Sequence, residues 1–254
     1  MLKTLFLDIE TSPNLAYTWE MYEQDVLKIV KQRDLLCFAW KWLGEKKVNV
    51  CGRCDCKNDK SFIKKLHGLF NEADIIIAQN GDEFDIKMCN TFFIKNGFNP
   101  PSPYKTIDTL KIARSKFRFN SNKLDDLGEY LGLGRKIKTG GFELWLKCLR
   151  NDKAGWKKMK QYNKRDVVLL EKVYNKLSSW AINICVNNDK GMICPNCGSD
   201  KINFRGWNFT RVFKNRRFVC KNCGRWSQSN LKVRYNEKEY LRLITNLTYG
   251  LSRI

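Results

Sequence analysis

Residues 4–10 read Thr-Leu-Phe-Leu-Asp-Ile-Glu, a run apolar enough for a buried strand that nevertheless carries two carboxylates two positions apart. Strand side chains alternate between faces, so Asp8 and Glu10 leave the same face of whatever sheet this run joins. Burying such a pair is expensive unless it reaches the sheet edge or faces a cation. The run therefore predicts a strand whose carboxyl end meets a bound cation or open solvent. Taken alone, a solvated strand end turning into Thr11-Ser12-Pro13-Asn14 explains it equally well.

Two later segments shift that balance. Residues 74–80, Asp-Ile-Ile-Ile-Ala-Gln-Asn, read as a buried strand ending at Asn80, and Asp85 then opens a helical pattern with Phe84, Met88, Phe92 and Phe93 that ends at Gly97. This places Asp85 at a helix start beside a strand's carboxyl end, where α/β sheets carry ligand sites. The same residue would also stabilise a helix dipole, with Asp82 and Glu83 as solvated neighbours. Tyr162 and Asp166 stand four apart and share one face of a helix expected over 162–184, a stretch without Gly or Pro. Further strands are expected at 35–43 and 46–52. Further helices are expected at 61–70 and around Leu124, Leu127, Tyr130 and Leu131. The pattern is α/β, a mixed sheet flanked by helices.

Composition sets the partner class. The 254 residues hold 47 Lys or Arg against 26 Asp or Glu, a formal charge of +21 that attracts polyanions, and nucleic acid is the expected partner. A membrane surface is the rival, but no run approaches the ~20 apolar residues of a span. The start Met-Leu-Lys-Thr-Leu-Phe lacks a signal-peptide pattern. A cytoplasmic protein is expected, of a kind that fits bacterial or phage replication or repair. The 11 cysteines then point to reduced thiols and metal ligation rather than disulfides. Cys194-Pro-Asn-Cys197-Gly and Cys220-Lys-Asn-Cys223-Gly have metal-site spacing, and with His67 the chain's one histidine, a Cys₄ centre follows. This pattern resembles a zinc ribbon with one structural Zn²⁺. From Gly191 onward 13 Lys or Arg face 3 Asp or Glu, and composition shifts near 187–192. The expected organisation is an α/β domain over 1–188, a ribbon over 189–230 and a basic segment over 231–254. Arg205, Trp207, Arg211, Lys214, Arg216, Arg217 and Trp226 mix cations with rings as a nucleic-acid platform does, and a protein-docking surface could look similar. Cys51, Cys54 and Cys56 are crowded but lack a fourth ligand, and read as a strand end and loop.

Across residues 1–180 the motifs resemble the DEDD 3′-to-5′ exonucleases of the ribonuclease-H-like superfamily, which includes polymerase proofreading domains. Asp8-Ile9-Glu10-Thr11 looks like their first motif and Asn80-Gly81-Asp82-Glu83-Phe84-Asp85 like the second. Tyr162-Asn163-Lys164-Arg165-Asp166 looks like the tyrosine form of the third. The histidine form requires a His five residues before the last Asp, and His67 is elsewhere. The resemblance implies that Asp8, Glu10, Asp85 and Asp166 hold two Mg²⁺ or Mn²⁺ ions while Tyr162 orients the attacking water. It also places Asn80 near the nucleic acid. The stretch that resembles the one between their second and third motifs carries Arg114, Lys116, Phe117, Arg118 and Phe119, which interleave charge and ring as suits a strand held at its phosphates and bases. A packed helix end with a solvated basic edge accounts for that last segment as well. Asp125 and Asp126 are reserve carboxylates. Hard divalent cations select such oxygen ligands and share them with substrate phosphate. The implied activity is release of nucleoside monophosphates from a 3′ end, with DNA favoured over RNA, by a stand-alone nuclease or one supplied to a separate polymerase. An endonuclease of the same fold and a non-catalytic zinc-ribbon binding module are the alternatives.

Overall fold

The computed structural model describes the chain apart from residues 1, 2, 21, 23, 24, 182, 185, 189, 190, 196, 211, 230, 237 and 239–254. It divides into two compact units, Met1–Leu177 and Ser178–Ile254. The division falls ahead of residue 188, where composition shifts.

The first unit is built on strands β1 (Thr4–Thr11), β4 (Leu35–Trp42), β5 (Asn49–Gly52), β6 (Ile75–Ala78) and β7 (Lys105–Asp108), with a short separate pair β2 (Leu15–Tyr17) and β3 (Lys28–Lys31). The sheet runs β5-β4-β1-β6-β7. The β5-β4 and β4-β1 pairs are antiparallel, and β6 and β7 continue parallel to β1. Helices α1 (Asp59–Glu72) and α2 (Asp85–Lys95) pack on one face. The α1 start is fixed by Asn58, whose side chain accepts the Ser61 amide at 2.8 Å. Leu5, Leu7 and Ile9 of β1 and Phe38 and Trp40 of β4 meet Phe62, Leu66, Phe70, Phe92 and Phe93 there, a core in which each large side chain contributes about 1.5–3 kcal/mol on burial.

The alternate residues of β1 look the other way. Phe6 packs edge-on against Tyr174 of α6 (Lys153–Leu177), with ring centroids 5.5 Å apart. Asp8 and Glu10 share that face. The remaining helices, α3 (Thr109–Lys116), α4 (Leu124–Tyr130) and α5 (Glu143–Leu149), precede α6. Two details depart from the periodicity reading. Tyr130 is 76% exposed and sits off the buried Leu124–Leu127 side. The long helix begins at Lys153 and stops at Leu177, giving way to a 3₁₀ turn at Ser178–Trp180 and then a strand. An absence of Gly and Pro permits a helix but does not extend it beyond the surface it packs against.

After the 3₁₀ turn at Ser178–Trp180, the second unit carries the strands β8 (Asn183–Ile184), β9 (Val186–Asn188), β10 (Gly191–Ile193), β11 (Ile202–Phe209), β12 (Phe213–Cys220), β13 (Trp226–Gln228) and β14 (Val233–Arg234). β11 and β12 form an antiparallel pair extended by β13, which β8 joins in parallel. No helix among the described residues is long and apolar enough to cross a membrane.

Candidate active site and metal centres

The parallel partner β6 covers β1 only from Thr4 to Phe6, so the carboxyl end of β1 projects beyond it. The exposed edge there is closed by a side chain, because the Ile9 amide donates to Asp85 Oδ1 at 3.2 Å. Asp85 reaches it from the first turn of α2. The chain gets from β6 to α2 through Asn80, whose φ of 59° is left-handed, and Gly81, where a Cβ would lie 2.4 Å from that of Ala78. Asp108, at the end of β7, holds this turn by accepting the Asn80 amide at 2.9 Å while capping α3 through the Leu110 amide.

On the α6 side, Tyr162, Asn163 and Asp166 face the acid pair. Asn163 Nδ2 donates to Asp8 Oδ2 at 2.6 Å and to the Asp8 carbonyl at 3.2 Å. Carboxylate oxygens of Asp8, Glu10 and Asp166 all come within 4.8 Å of one another. Asp85 stands just behind this trio, at the Ile9 amide, and is 4% exposed. Tyr162 is braced by Trp145, whose indole donates to the Thr11 carbonyl at 3.1 Å.

Burial is the leading cause of every perturbed carboxylate here. It raises Asp8 well above the usual carboxylate range, with Asp166, Glu10 and Asp85 adding to it and Lys136 opposing. Burial and Asp166 push Glu10 up to about 8. Asp85 is pushed to about 7 by burial although the Ile9 amide counteracts it. Asp166 is raised by burial against the pull of Lys136. Tyr162 is held above its ordinary value by burial and by Asp166, so it acts as a neutral hydroxyl.

Three residues at this site escaped sequence reasoning. Asn163 stands inside the Tyr-to-Asp motif, and Trp145 gave no periodic signal of its own. Lys136 is the third: its ammonium lies 2.7 Å from Asp166 Oδ2 and 3.2 Å from the Tyr162 hydroxyl. Burial disfavours that charge, but Asp166 and Asp8 outweigh it and raise the lysine's proton affinity. The loop carrying Lys136 is pinned by Asp125, which accepts the Lys136 amide at 2.7 Å and pairs with Arg135 at 3.0 Å. A legible signal existed, because Gly132, Gly134, Gly140 and Gly141 bracket Arg135, Lys136 and Lys138 in ten residues, and all four have positive φ.

The trio fits a hard divalent cation. It offers three oxygen donors with excess negative charge, and the buried Oδ1 of Asp166 has no hydrogen-bond partner among the described residues. A second ligand set occurs in the other unit. Cys194, Cys197, Cys220 and Cys223 converge, with Cys194–Cys223 and Cys197–Cys220 sulfur separations of 3.6 Å. Zn–S bonds of ~2.3 Å in a tetrahedron require S···S of about 3.8 Å, so the four thiols could hold zinc. The two knuckles repeat one geometry. The Gly198 and Gly224 amides donate to the Cys194 and Cys220 carbonyls, both glycines have φ near 70°, and the Cys194 and Cys220 amides donate to the Ser199 and Arg225 carbonyls.

The basic candidates fall in three places. Arg114, Lys116 and Arg118 are exposed around the end of α3, while Phe117 and Phe119 stack on each other at 5.1 Å. On β12, Lys214 and Arg216 lie over the Trp207 ring, each 5.0 Å from its centroid. Arg217 and Trp226 belong to the other face of that sheet, since Arg217 pairs with Gln228 and Trp226 with Val219. Arg205 is exposed beside the bulge that separates Phe204 from Trp207, and Arg211 lies outside the described residues. Cys51 and Cys56 bring their sulfurs to 3.6 Å, and Cys54 is exposed, in a strand end and 3₁₀ turn.

Comparison with known proteins agrees with this architecture. Among solved structures, the family B DNA polymerase from the hyperthermophilic archaeon Pyrobaculum calidifontis shares 18% identity at a TM-score of 0.51, over 71% of this chain and 25% of that one. Exonuclease I shares 15% identity at a TM-score of 0.43, over 70% and 41%. An ExoI/SSB-Ct complex shares 16% at 0.41, over 69% and 41%. The chain thus spans a quarter to two-fifths of the length of these neighbours. None of the curated proteins compared with it matches. A family model described as the RNase_H superfamily matches residues 5–178, the span that holds the five-stranded sheet, α6 and all of the clustered carboxylates, and the chain belongs to that superfamily.

Proposed function

We propose that this protein is a metal-dependent nuclease that removes nucleoside monophosphates from the 3′ end of DNA. The observation that carries the reading is the convergence of Asp8, Glu10 and Asp166 at the end of β1, with Asp85 behind them. Their raised proton affinities mean that this much buried negative charge calls for a cation. Asp8, Glu10 and Asp166, with Asp85, would hold two Mg²⁺ or Mn²⁺ ions. Bound there, such ions lower the pKa of water and neutralise charge on the phosphate and on the departing 3′ oxygen. The chain's own groups do the positioning. Asn163 fixes Asp8, Trp145 braces Tyr162, and the neutral Tyr162 hydroxyl is placed to orient the attacking water. Water oxygen bonds to phosphorus as the bond to the 3′ oxygen breaks, leaving a nucleoside 5′-monophosphate and a strand one residue shorter. The 3′ polarity and the DNA preference rest on the motif resemblance. The Cys₄ ribbon, with one structural Zn²⁺, and the basic rings of β11 and β12 would supply a second hold on the strand.

The test is digestion of 5′-labelled single-stranded DNA and RNA, and of a closed DNA circle, with Mg²⁺ or Mn²⁺. A ladder shortening from the 3′ end and lost in Asp8→Ala supports the proposal, with Tyr162→Phe lowering turnover more than binding. Cutting of the circle would mean an endonuclease. Tight binding without metal-dependent cleavage would mean a binding module.

A further inference from the structure

The helix that presents Tyr162 and Asp166 carries an unassigned feature on its opposite side. Lys153, Lys157, Lys160 and Lys164 fall within about 60° of arc, centred roughly 180° from the Tyr162–Asp166 edge. They line an open groove of about 760 Å³ whose other wall is Val50, Cys54 and Asp55. The charge is one-sided. Asp55 is the wall's acid and is already paired with Lys160 at 2.8 Å, while Asp152 is occupied in accepting the Ala154 and Gly155 amides at the start of α6. Lys153, Lys157 and Lys164 make no ion pair with any described residue. Trp156 also lines it, 6% exposed, and belongs to the buried cluster of Leu36, Cys37, Leu144, Cys148 and Met159 that forms its floor side.

We infer that this groove is a second nucleic-acid track, which takes the phosphodiester backbone of a strand beyond the stretch engaged at the carboxylates. Its ligand must be a linear polyanion. Eleven residues of helix separate Lys153 from Lys164, a rim of about 16 Å. At the ~3.4 Å of axis per phosphate of a stacked strand, that rim accommodates at most about five phosphates, and fewer of an extended one. Binding at the track is electrostatic and independent of sequence, because lysine ammoniums contact phosphate without reading bases. A helix with side chains is ~10–12 Å across, so only a strand of several nucleotides can occupy both sides of α6 at once. Affinity should therefore depend on substrate length.

This inference deepens the nuclease reading, and the test separates the two. Lys153, Lys157 and Lys164 are replaced together by Gln in the full-length protein. Affinity for oligothymidines of ~4 and ~20 nucleotides is measured against salt in an Asp8→Ala background, and hydrolysis of the short one is followed without that background change. The expected result is on the order of tenfold weaker binding of the long oligonucleotide. Its log–log salt slope should be shallower by about 2, three contacts at ~0.7 each, with binding and hydrolysis of the short one unchanged. An unchanged slope and affinity for the long oligonucleotide would overturn the track. So would equal weakening of both lengths, which would make the lysines part of the carboxylate site. If the parent hydrolyses nothing, the nuclease reading fails, while the length-dependent binding still decides the track.

Discussion

Replacing Lys136 with Met removes the one side-chain cation that, among the described residues, touches the carboxylate cluster, and keeps most of the aliphatic stem. Its ammonium sits 2.7 Å from a fully buried Asp166, and its own side chain is 29% exposed. Deleting one partner of a buried pair costs about 3–5 kcal/mol because the other charge is stranded. Partial exposure of the lysine places this case near the low end, about 3 kcal/mol. For a unit the size of residues 1–177, roughly 2–4 °C of melting temperature follows each kcal/mol, so metal-free Lys136→Met should melt roughly 6–12 °C below the parent at pH 8. At pH 6 the deficit should shrink. Lys136 lowers the proton affinity of Asp166, so without it Asp166 takes up a proton more readily and the stranded charge disappears. Manganese should then restore more to the variant than it adds to the parent, since no ammonium has to leave Asp166. Occupancy at 100 times Kd contributes ~2.7 kcal/mol, enough to offset most of the loss. Scanning calorimetry with and without Mn²⁺ at both pH values measures all four cases. Equal melting temperatures without metal at pH 8, or equal Mn²⁺ shifts in the two proteins, would refute the view that lysine and metal compete for one charge site.

Other consequences follow from the same site. In the metal-free protein, Glu10 at about 8 and Asp85 at about 7 lie above their ordinary values. Their contribution is therefore complete below about pH 4 and is lost as pH rises to 8, at up to ~1.4 kcal/mol per pH unit for each group. Denaturant titrations should show this decline, and saturating Mn²⁺ should flatten it. An unaltered decline would count against metal at these carboxylates. Asp85→Asn keeps an acceptor for the Ile9 amide while removing charge, so calorimetric Mn²⁺ affinity should fall by roughly 10–100-fold if the carboxylate serves the metals. Unchanged affinity would limit Asp85 to closing the edge of β1. Elemental analysis should find one zinc per chain, lost in Cys194→Ser together with protease resistance of the 178–254 unit. Absence of zinc from the parent would remove the ribbon's metal.

Where a residue acts through its own chain neighbours, its place could be read from sequence. Alternation put Asp8 and Glu10 on one face, and the helical repeat put Tyr162 and Asp166 on another. Each relation needs only local geometry. The sheet then brings the two faces together, because Leu5, Leu7 and Ile9 claim the α1–α2 side and leave α6 for the acids. What local geometry cannot supply is a contact made through a long excursion. Lys136 lies 30 residues from Asp166 and enters the site from a loop whose path is fixed by Asp125, itself read as a reserve ligand. The lysine groove was hidden for a different reason. Exposed lysines on a helix are ordinarily a solvated face, and only the packing of residues 50–55 against α6 turns that face into a recess. The same helix thus presents acids on one side and bases on the other. A strand held at its phosphates by the lysines raises the effective concentration of its remaining phosphates at the acids only if it is long enough to reach them, so the two faces work together on long substrates and separately on short ones. This is why substrate length, rather than activity alone, distinguishes a helix with two functional sides from one with a catalytic side and a merely soluble one.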